Sequence, residues 1–377
     1  MESHAAPWAF RTLAAAAAAA GFAFGSGLAA EGASAAERIE VQERYVAIDD
    51  VCAWPNLTLL PDGSIVALIF NQPSHGRLPG DVDCWGSVDG GRVWSRRGAA
   101  VPHDAPDTNR MNVATGLAHD GDLVVLCSGW QLNGDQFVRR LAPWVSRSAD
   151  GGRTWSVDKD SRRAVRFPTG ADYDDRGDRM IKPFGDIVRL PGPGTRLAAS
   201  FYHDYGQVWM LFSDDDGRTW GDAALMCGEN RCETAHLRLR PDRWIAASRT
   251  EMGVDGKTPE VGLGLFASGD EGRTWAFEQT LTKHLQHPGD LLRLADGRVL
   301  LAYGMRDVYA IGVRTADAEG RVWQPAQILC QLAPGDLGYP STVQLADGTL
   351  VTAYYSAGIP EHTRYHMGVL RWRLEAP

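Results

Sequence analysis

The chain lacks any cluster of lysines and arginines, and its formal charge is -9, from 47 acidic against 38 basic side chains. That balance removes the electrostatic footprint of a nucleic-acid binder. An anionic ligand would have to be drawn by a few placed arginines, because the global field repels it. The six cysteines form no C-x-x-C motif and no Cys/His spacing of a zinc site, so no metal is expected. No long membrane-spanning run is present either. The apolar stretch after Arg11, "TLAAAAAAAGFAFGSGLAA", is rich in Ala and Gly, interrupted by glycine and short for a stable span. Followed by "ASAAE", it reads as a secretory signal peptide over 1–36, cleaved between Ala30 and Glu37. The mature domain is then 37–377, secreted or periplasmic. Cysteines in an exported chain can form disulfides, and Cys227 and Cys232, flanking "GENR", are the expected local pair.

What is abundant points to β-structure. There are 42 glycines, 20 prolines and 13 tryptophans, a composition suited to many short strands joined by tight turns. One phrase keeps returning: "SVDGGRVW" at 87–94, "SADGGRTW" at 148–155, "SDDDGRTW" at 213–220, "SGDEGRTW" at 268–275 and a worn "TADAEGRVW" at 315–323. Ahead of each octet lies an apolar run, a D-G type turn and a second apolar run, the signature of a β-hairpin. The turn aspartates are Asp62, Asp120, Asp242, Asp296 and Asp347, spaced by 58, 122, 54 and 51 residues. The double gap is filled by "PFGDIVRLPGPGTRLAASFYHD" (183–204), which turns on Pro and Gly. Units of this length with four strand-sized segments indicate an all-β, six-bladed β-propeller of four-stranded antiparallel blades. "RIEVQERYVAI" (38–48) and "YHMGVLRWRL" (365–374) both read as strands and are expected to share one blade, removing its open edge.

The octet's letters have an architectural reason. Ser and Asp side chains accept backbone N–H groups, Gly supplies a positive φ, and Trp covers the hairpin. Strand direction then places the D-G turns and the octets at one end of the blades. Residues before each first strand and after each second strand go to the opposite end. Aligned on the turn aspartates, these are Ala53/Trp54, Met111/Asn112, Glu233/Thr234, His287/Pro288 and Gly338/Tyr339, with Lys182 nearby in the third unit. Second strands return Asn71/Gln72, Trp130, His203/Asp204, Arg249 and Arg306 to the same end. So many polar and charged groups around one mouth mark a pocket.

S-x-D-x-G-x-T-W is the Asp box, and its recurrence resembles the sialidase (neuraminidase) superfamily of six-bladed propellers over nearly the whole mature chain. The resemblance implies a glycoside hydrolase acting on a terminal acidic sugar of a glycan, as a monomer, without an organic cofactor. It implies Tyr339 as nucleophile, activated by Glu233, since a carboxylate can take the phenolic proton. Arg249 and Arg306 match two of the family's three carboxylate-holding arginines. Where the first arginine belongs, this chain has Ala53-Trp54-Pro55, so Trp54 offers a stacking face instead. The acid/base belongs in the loop "SHGRLPGDVDCWGS", where Asp81, Asp83 and His75 compete, with Asp81 favoured by position. Asn112 and His287 are expected to touch substrate. His287 could also serve as the base of a lyase, and a non-catalytic glycan-binding propeller or a uronide or rhamnoside hydrolase are the alternatives. The acidic run "ADYDDRGD" (171–178) lacks the spacing of a calcium loop and reads as solvated.

Overall fold

In the computed structural model, residues 37–166, 181–203, 206–228, 230–250, 261–359 and 362–375 are described. The proposed signal segment, the acidic run 171–178 and Asp204 lie outside them. The strands all belong to one unit, Arg38–Ala376, and no helix among the described residues is long and apolar enough to cross a membrane.

Strand β1 (Arg38–Asp49) comes first. It is followed by β2 (Ala53–Leu59), β3 (Ile65–Phe70), β4 (Val82–Ser87) and β5 (Ser95–Val101), which pair in order. The next set is β6 (Thr108–Leu117), β7 (Leu123–Asn133), β8 (Gln136–Ser148) and β9 (Ser156–Asp158). A one-turn helix, α1 (Ser161–Ala164), precedes β10 (Lys182–Arg189), β11 (Leu197–His203), β12 (Gln207–Ser213) and β13 (Gly221–Cys227). Then come β14 (Arg231–Arg240), β15 (Arg243–Thr250), β16 (Leu263–Ser268) and β17 (Ala276–Thr280). They are followed by β18 (Gln286–Arg293), β19 (Val299–Met305), β20 (Ala310–Ala316) and β21 (Gln327–Gln331). The last strands, β22 (Leu337–Gln344), β23 (Leu350–Ser356) and β24 (His366–Glu375), take β1 as their fourth member. The expected sharing of one sheet by the two chain ends is therefore observed, with Arg38 opposite Glu375 and Asp49 opposite His366.

Within every set the pairing is antiparallel and sequential. Parallel pairing of Gly185 with Ala114 and Asp186 with Thr115 merges two sets into one eight-stranded sheet. Gly116 permits this approach, because a Cβ there would meet the Ile187 carbonyl oxygen at 2.3 Å.

The second strands are continuous apolar runs, "IVALIF" in β3 and "VLLAYGM" in β19 among them, and both are buried along their whole length. Such runs need cover on both faces, whereas the outer strand β17 is mostly exposed. The cover comes from neighbouring sets. Leu68 packs in one cluster with Val125, Val124 with Phe201, Phe212 with Trp244, Ile245 with Leu301, and Ile311 with Tyr354. A further cluster joins Val351 and Val369 of the last set to Ile65 and Ile69 of the first.

The octets lie between third and fourth strands, as expected, and repeat one set of bonds. In 148–155, Ser148 Oγ accepts from Gly152 N at 2.8 Å and Asp150 Oδ1 accepts from Thr154 N at 2.9 Å. Trp Nε1 donates to a glycine carbonyl at 3.0, 3.0, 3.1, 2.9 and 3.0 Å in the five copies. The cysteines require a correction. All six are buried free thiols, and Cys227 and Cys232 sit in β13 and β14, strands of different sheets, within one apolar cluster. Packing within one apolar cluster orders both strands without a bridge.

Candidate active site

Each first strand carries a register break near its start: Ala53/Asn56 in β2, Arg110/Asn112 in β6, Phe184/Ile187 in β10, Cys232/Thr234 in β14, Gln286/Gly289 in β18 and Gly338/Ser341 in β22. A bulge takes a residue out of the ladder and re-aims its side chain. Proline suits such a position because it has no N–H to pair, and Trp54, His287 and Tyr339 each precede one. Trp54 and Tyr339 both have φ of 46°, a left-handed conformation. For a side chain of this size it costs on the order of 1–2 kcal/mol, held in place by the surrounding sheet. The bulges converge on a cavity of about 310 Å³ whose walls include Trp54, Asn112, Lys182, Glu233 and Tyr339. It lies at the end opposite the D-G turns, where strand direction put it.

At its centre the Tyr339 hydroxyl donates to Glu233 Oε1, and Arg249 Nη1 donates to Glu233 Oε2 at 2.5 Å. Arg306 Cζ stands 5.9 Å from the centre of the Tyr339 ring. Glu233 is only 4% exposed. Burial alone would raise its pKa, but the Arg249 charge, the Tyr339 hydroxyl and Arg306 outweigh burial and hold it below the ordinary carboxylate value. Tyr339 moves the other way: burial and the Glu233 charge push it well above the usual phenol value, with Arg249 and Arg306 opposing. At rest the pair is a neutral phenol and an ionised carboxylate joined by a hydrogen bond. Such a pair can release a phenoxide oxygen only as the carboxylate takes the proton.

The remaining expected residues divide. Trp54 forms the wall, stacked on Phe70 at 5.6 Å and 6.1 Å from Tyr339, and Ala53 beside it is fully buried. Asn112 lines the cavity with its buried Oδ1 unpaired. Arg249 and Arg306 are partly buried beside Glu233 and Tyr339 but are not among the lining residues. His287 is 5% exposed and also absent from the lining; burial, then Arg249, Arg306 and His284, keep its imidazole neutral. Asp81 is not brought to the cavity. Its Oδ1 accepts from His103 N at 2.8 Å and faces His103 Nδ1 at 2.5 Å. Asp83 is clamped by Arg96 through bonds of 2.7 and 2.9 Å. Of the three competing loop residues, His75 alone lines the cavity.

Sequence alignment of the units missed a second cluster. Asp336 Oδ2 faces His75 Nδ1 at 2.5 Å, while Tyr355 and Tyr365 donate to Asp336 at 2.6 and 3.0 Å. Tyr355 is the penultimate residue of β23, so carrying the same alignment through the last unit's second strand would have found it. Phe137 and Trp130 reach the wall because β7 and β8 form a long hairpin turning on Gly134-Asp135, a signal present in the sequence. Asp186 and Asp290 also line the cavity, and burial raises both, Asp290 further through the Asp186 charge. Among the described residues, Cys52, His75 and Asp336 place donor atoms within 4.8 Å of one another. The Asp336 oxygens of this group already face His75 Nδ1 and accept from Tyr355 and Tyr365, so it is read as a hydrogen-bonded cluster rather than a metal centre.

The chain is thus an all-β protein of four-stranded antiparallel sheets with the fold of the sialidase propellers. It belongs to the family of the BNR repeat-like domain, whose model matches residues 63–352. No curated protein matches the sequence. Among solved structures, a protein of unknown function from Dyadobacter fermentans is similar at 20% identity and TM-score 0.71, over 89% of this chain and 99% of that one. The Hadza microbial sialidase Hz136 is 16% identical with TM-score 0.65, over 85% of this chain and 65% of that one. Trypanosoma rangeli sialidase with 2,3-difluorosialic acid, a covalent intermediate, is 16% identical with TM-score 0.60, over 88% of this chain and 55% of that one.

Proposed function

We propose that the chain is an exported six-bladed propeller acting as an exo-sialidase-like glycoside hydrolase, removing a terminal acidic sugar from a glycan. The reading is carried by one observation, the Tyr339–Glu233 hydrogen bond at a cavity beside Arg249 and Arg306. Tyr339 attacks the anomeric carbon as Glu233 takes its proton. A neutral nucleophile approaches an anionic sugar without the repulsion a carboxylate would meet. The two guanidiniums, set behind the lining, supply the positive charge that attracts the substrate carboxylate, and Trp54 and Asn112 stack and hydrogen-bond the ring. A cavity of about 310 Å³ suits one terminal sugar rather than an internal chain segment.

A second specificity has its own support. Ala53 stands where an arginine would complete a triad, and Trp54, Trp130, Phe137 and Tyr202 supply aromatic wall, which favours a sugar held more by stacking than by its carboxylate, a uronide or a rhamnoside. The test is incubation of purified protein with sialosides and uronides, read by mass spectrometry. The proposal expects a released monosaccharide from one class and none with Tyr339→Phe, which should still fold. An unsaturated product would replace hydrolysis by elimination, and full turnover by Tyr339→Phe would refute the nucleophile.

A further inference from the structure

We propose that His75, oriented by Asp336, is the general acid/base of this site, in the role for which position in the loop favoured Asp81 over Asp83 and His75. The proposal rests on the hydrolase reading and adds to it the group that delivers the proton. Three observations carry it. His75 lines the cavity with its side chain 46% exposed, whereas Asp81 and Asp83 are spent on His103 and Arg96. Its ring stands edge-on to Trp54 at 4.9 Å, and Trp54 in turn is 6.1 Å from Tyr339, so one indole neighbours both rings in the wall of the same cavity. Its Nδ1 is taken by Asp336, which leaves Nε2 as the ring nitrogen available to a ligand.

The carboxylate is itself held. Tyr355 and Tyr365 donate to its two oxygens. Burial would raise Asp336, yet His75, the Tyr355 hydroxyl and Arg306 keep it charged, at about 2. An ionised carboxylate only accepts, so the hydrogen between the pair sits on Nδ1 and the tautomer is fixed. The proton balance then closes. In the first step the Tyr339 oxygen bonds the anomeric carbon and its proton passes to Glu233. The glycosidic C–O bond breaks with its electron pair on the leaving oxygen, which takes the Nε2 proton of the imidazolium form of His75 and leaves the neutral Nδ1–H ring facing Asp336. In the second step water attacks the same carbon and gives a proton to Nε2. The tyrosyl C–O bond breaks, and the phenolic oxygen recovers its proton from Glu233.

Leaving-group dependence tests this. A nitrophenolate leaves without protonation, whereas the alkoxide of lactose does not. His75→Ala should lose about 10³-fold in kcat/KM on sialyllactose and less than about 10-fold in kcat/KM on 4-nitrophenyl sialoside, because kcat/KM reports the step in which the leaving group departs, in the range general acids contribute. Asp336→Asn, acting through His75, should show the same leaving-group selectivity in kcat/KM at about 10- to 100-fold, which a merely structural role would not produce. Tyr339→Phe should lose both substrates. Equal loss or no loss on the two substrates in His75→Ala, its fold checked by circular dichroism, overturns the assignment while leaving the hydrolase reading intact. The same holds if Asp81→Asn alone shows the selective loss. If the parent protein releases no sugar from sialosides or from the corresponding uronides, the hydrolase reading falls and this inference with it.

Discussion

Replacing Glu233 by Gln keeps the shape of the side chain and one acceptor oxygen but deletes the charge that faces Arg249. The two side chains are 6% and 12% exposed, and their contact is 2.5 Å. Opposite charges about 4 Å apart at an effective dielectric near 20 attract by about 4 kcal/mol. Removing one partner of such a pair costs about 3–5 kcal/mol, mostly because the other is stranded. Glu233→Gln and Arg249→Met should therefore each lower the urea unfolding free energy by about 3 kcal/mol. The double variant, with no charge stranded, should recover to within about 2 kcal/mol of the parent. The coupling from this cycle is then several kcal/mol, far above the ~0.5 kcal/mol scatter of independent sites. Because Glu233 sits below its ordinary value when folded, this stabilisation is present above the usual carboxylate range and is lost as pH falls through it. Additive single effects, or a Glu233→Gln loss below about 1 kcal/mol, would show that the ion pair does not hold this site together and would remove the physical ground for an ionised Glu233.

Asp150→Ala removes the acceptor of four bonds, from Ser148, Arg153 and Thr154, in one octet. It should cost about 1–2 kcal/mol in urea unfolding, with no change in activity, since the octets lie at the far end from the cavity. Asp186→Asn should act with the opposite pH sign. Burial raises Asp186 above its ordinary value, so the folded state holds more protons, and that stabilisation, full at about pH 4 and below, fades toward neutrality. The variant should flatten the stability–pH curve between about pH 4 and 8; an unchanged slope would show that Asp186 titrates normally.

The repeat was legible because its determinants are local. Each octet closes bonds among its own residues, and each D-G turn dictates its hairpin, so strand order and the end bearing the site follow from spacing alone. Tyr339, Glu233, Trp54 and Asn112 were reachable by aligning units, because a bulge at the same place in every first strand aims the same positions inward. What was not legible depends on contacts between units. Asp81 and His75 share one loop, and position in a loop does not say which side chain turns inward; His103, more than twenty residues on, settles it by capturing Asp81. Asp336 was invisible for a related reason, since its partners come from the first loop, β23 and the segment before β24. The cysteines show the limit of arguing from compartment, because six buried thiols in the cores needed no bridges.

The central claim is that Tyr339 forms a bond to the sugar. Incubation of the protein with 2,3-difluorosialic acid, followed by proteolysis and tandem mass spectrometry, examines it directly. The account predicts one glycosyl adduct on the peptide containing Tyr339, absent from Tyr339→Phe. An adduct on Glu233 or another carboxylate, or turnover of sialosides with no covalent species at all, would contradict it.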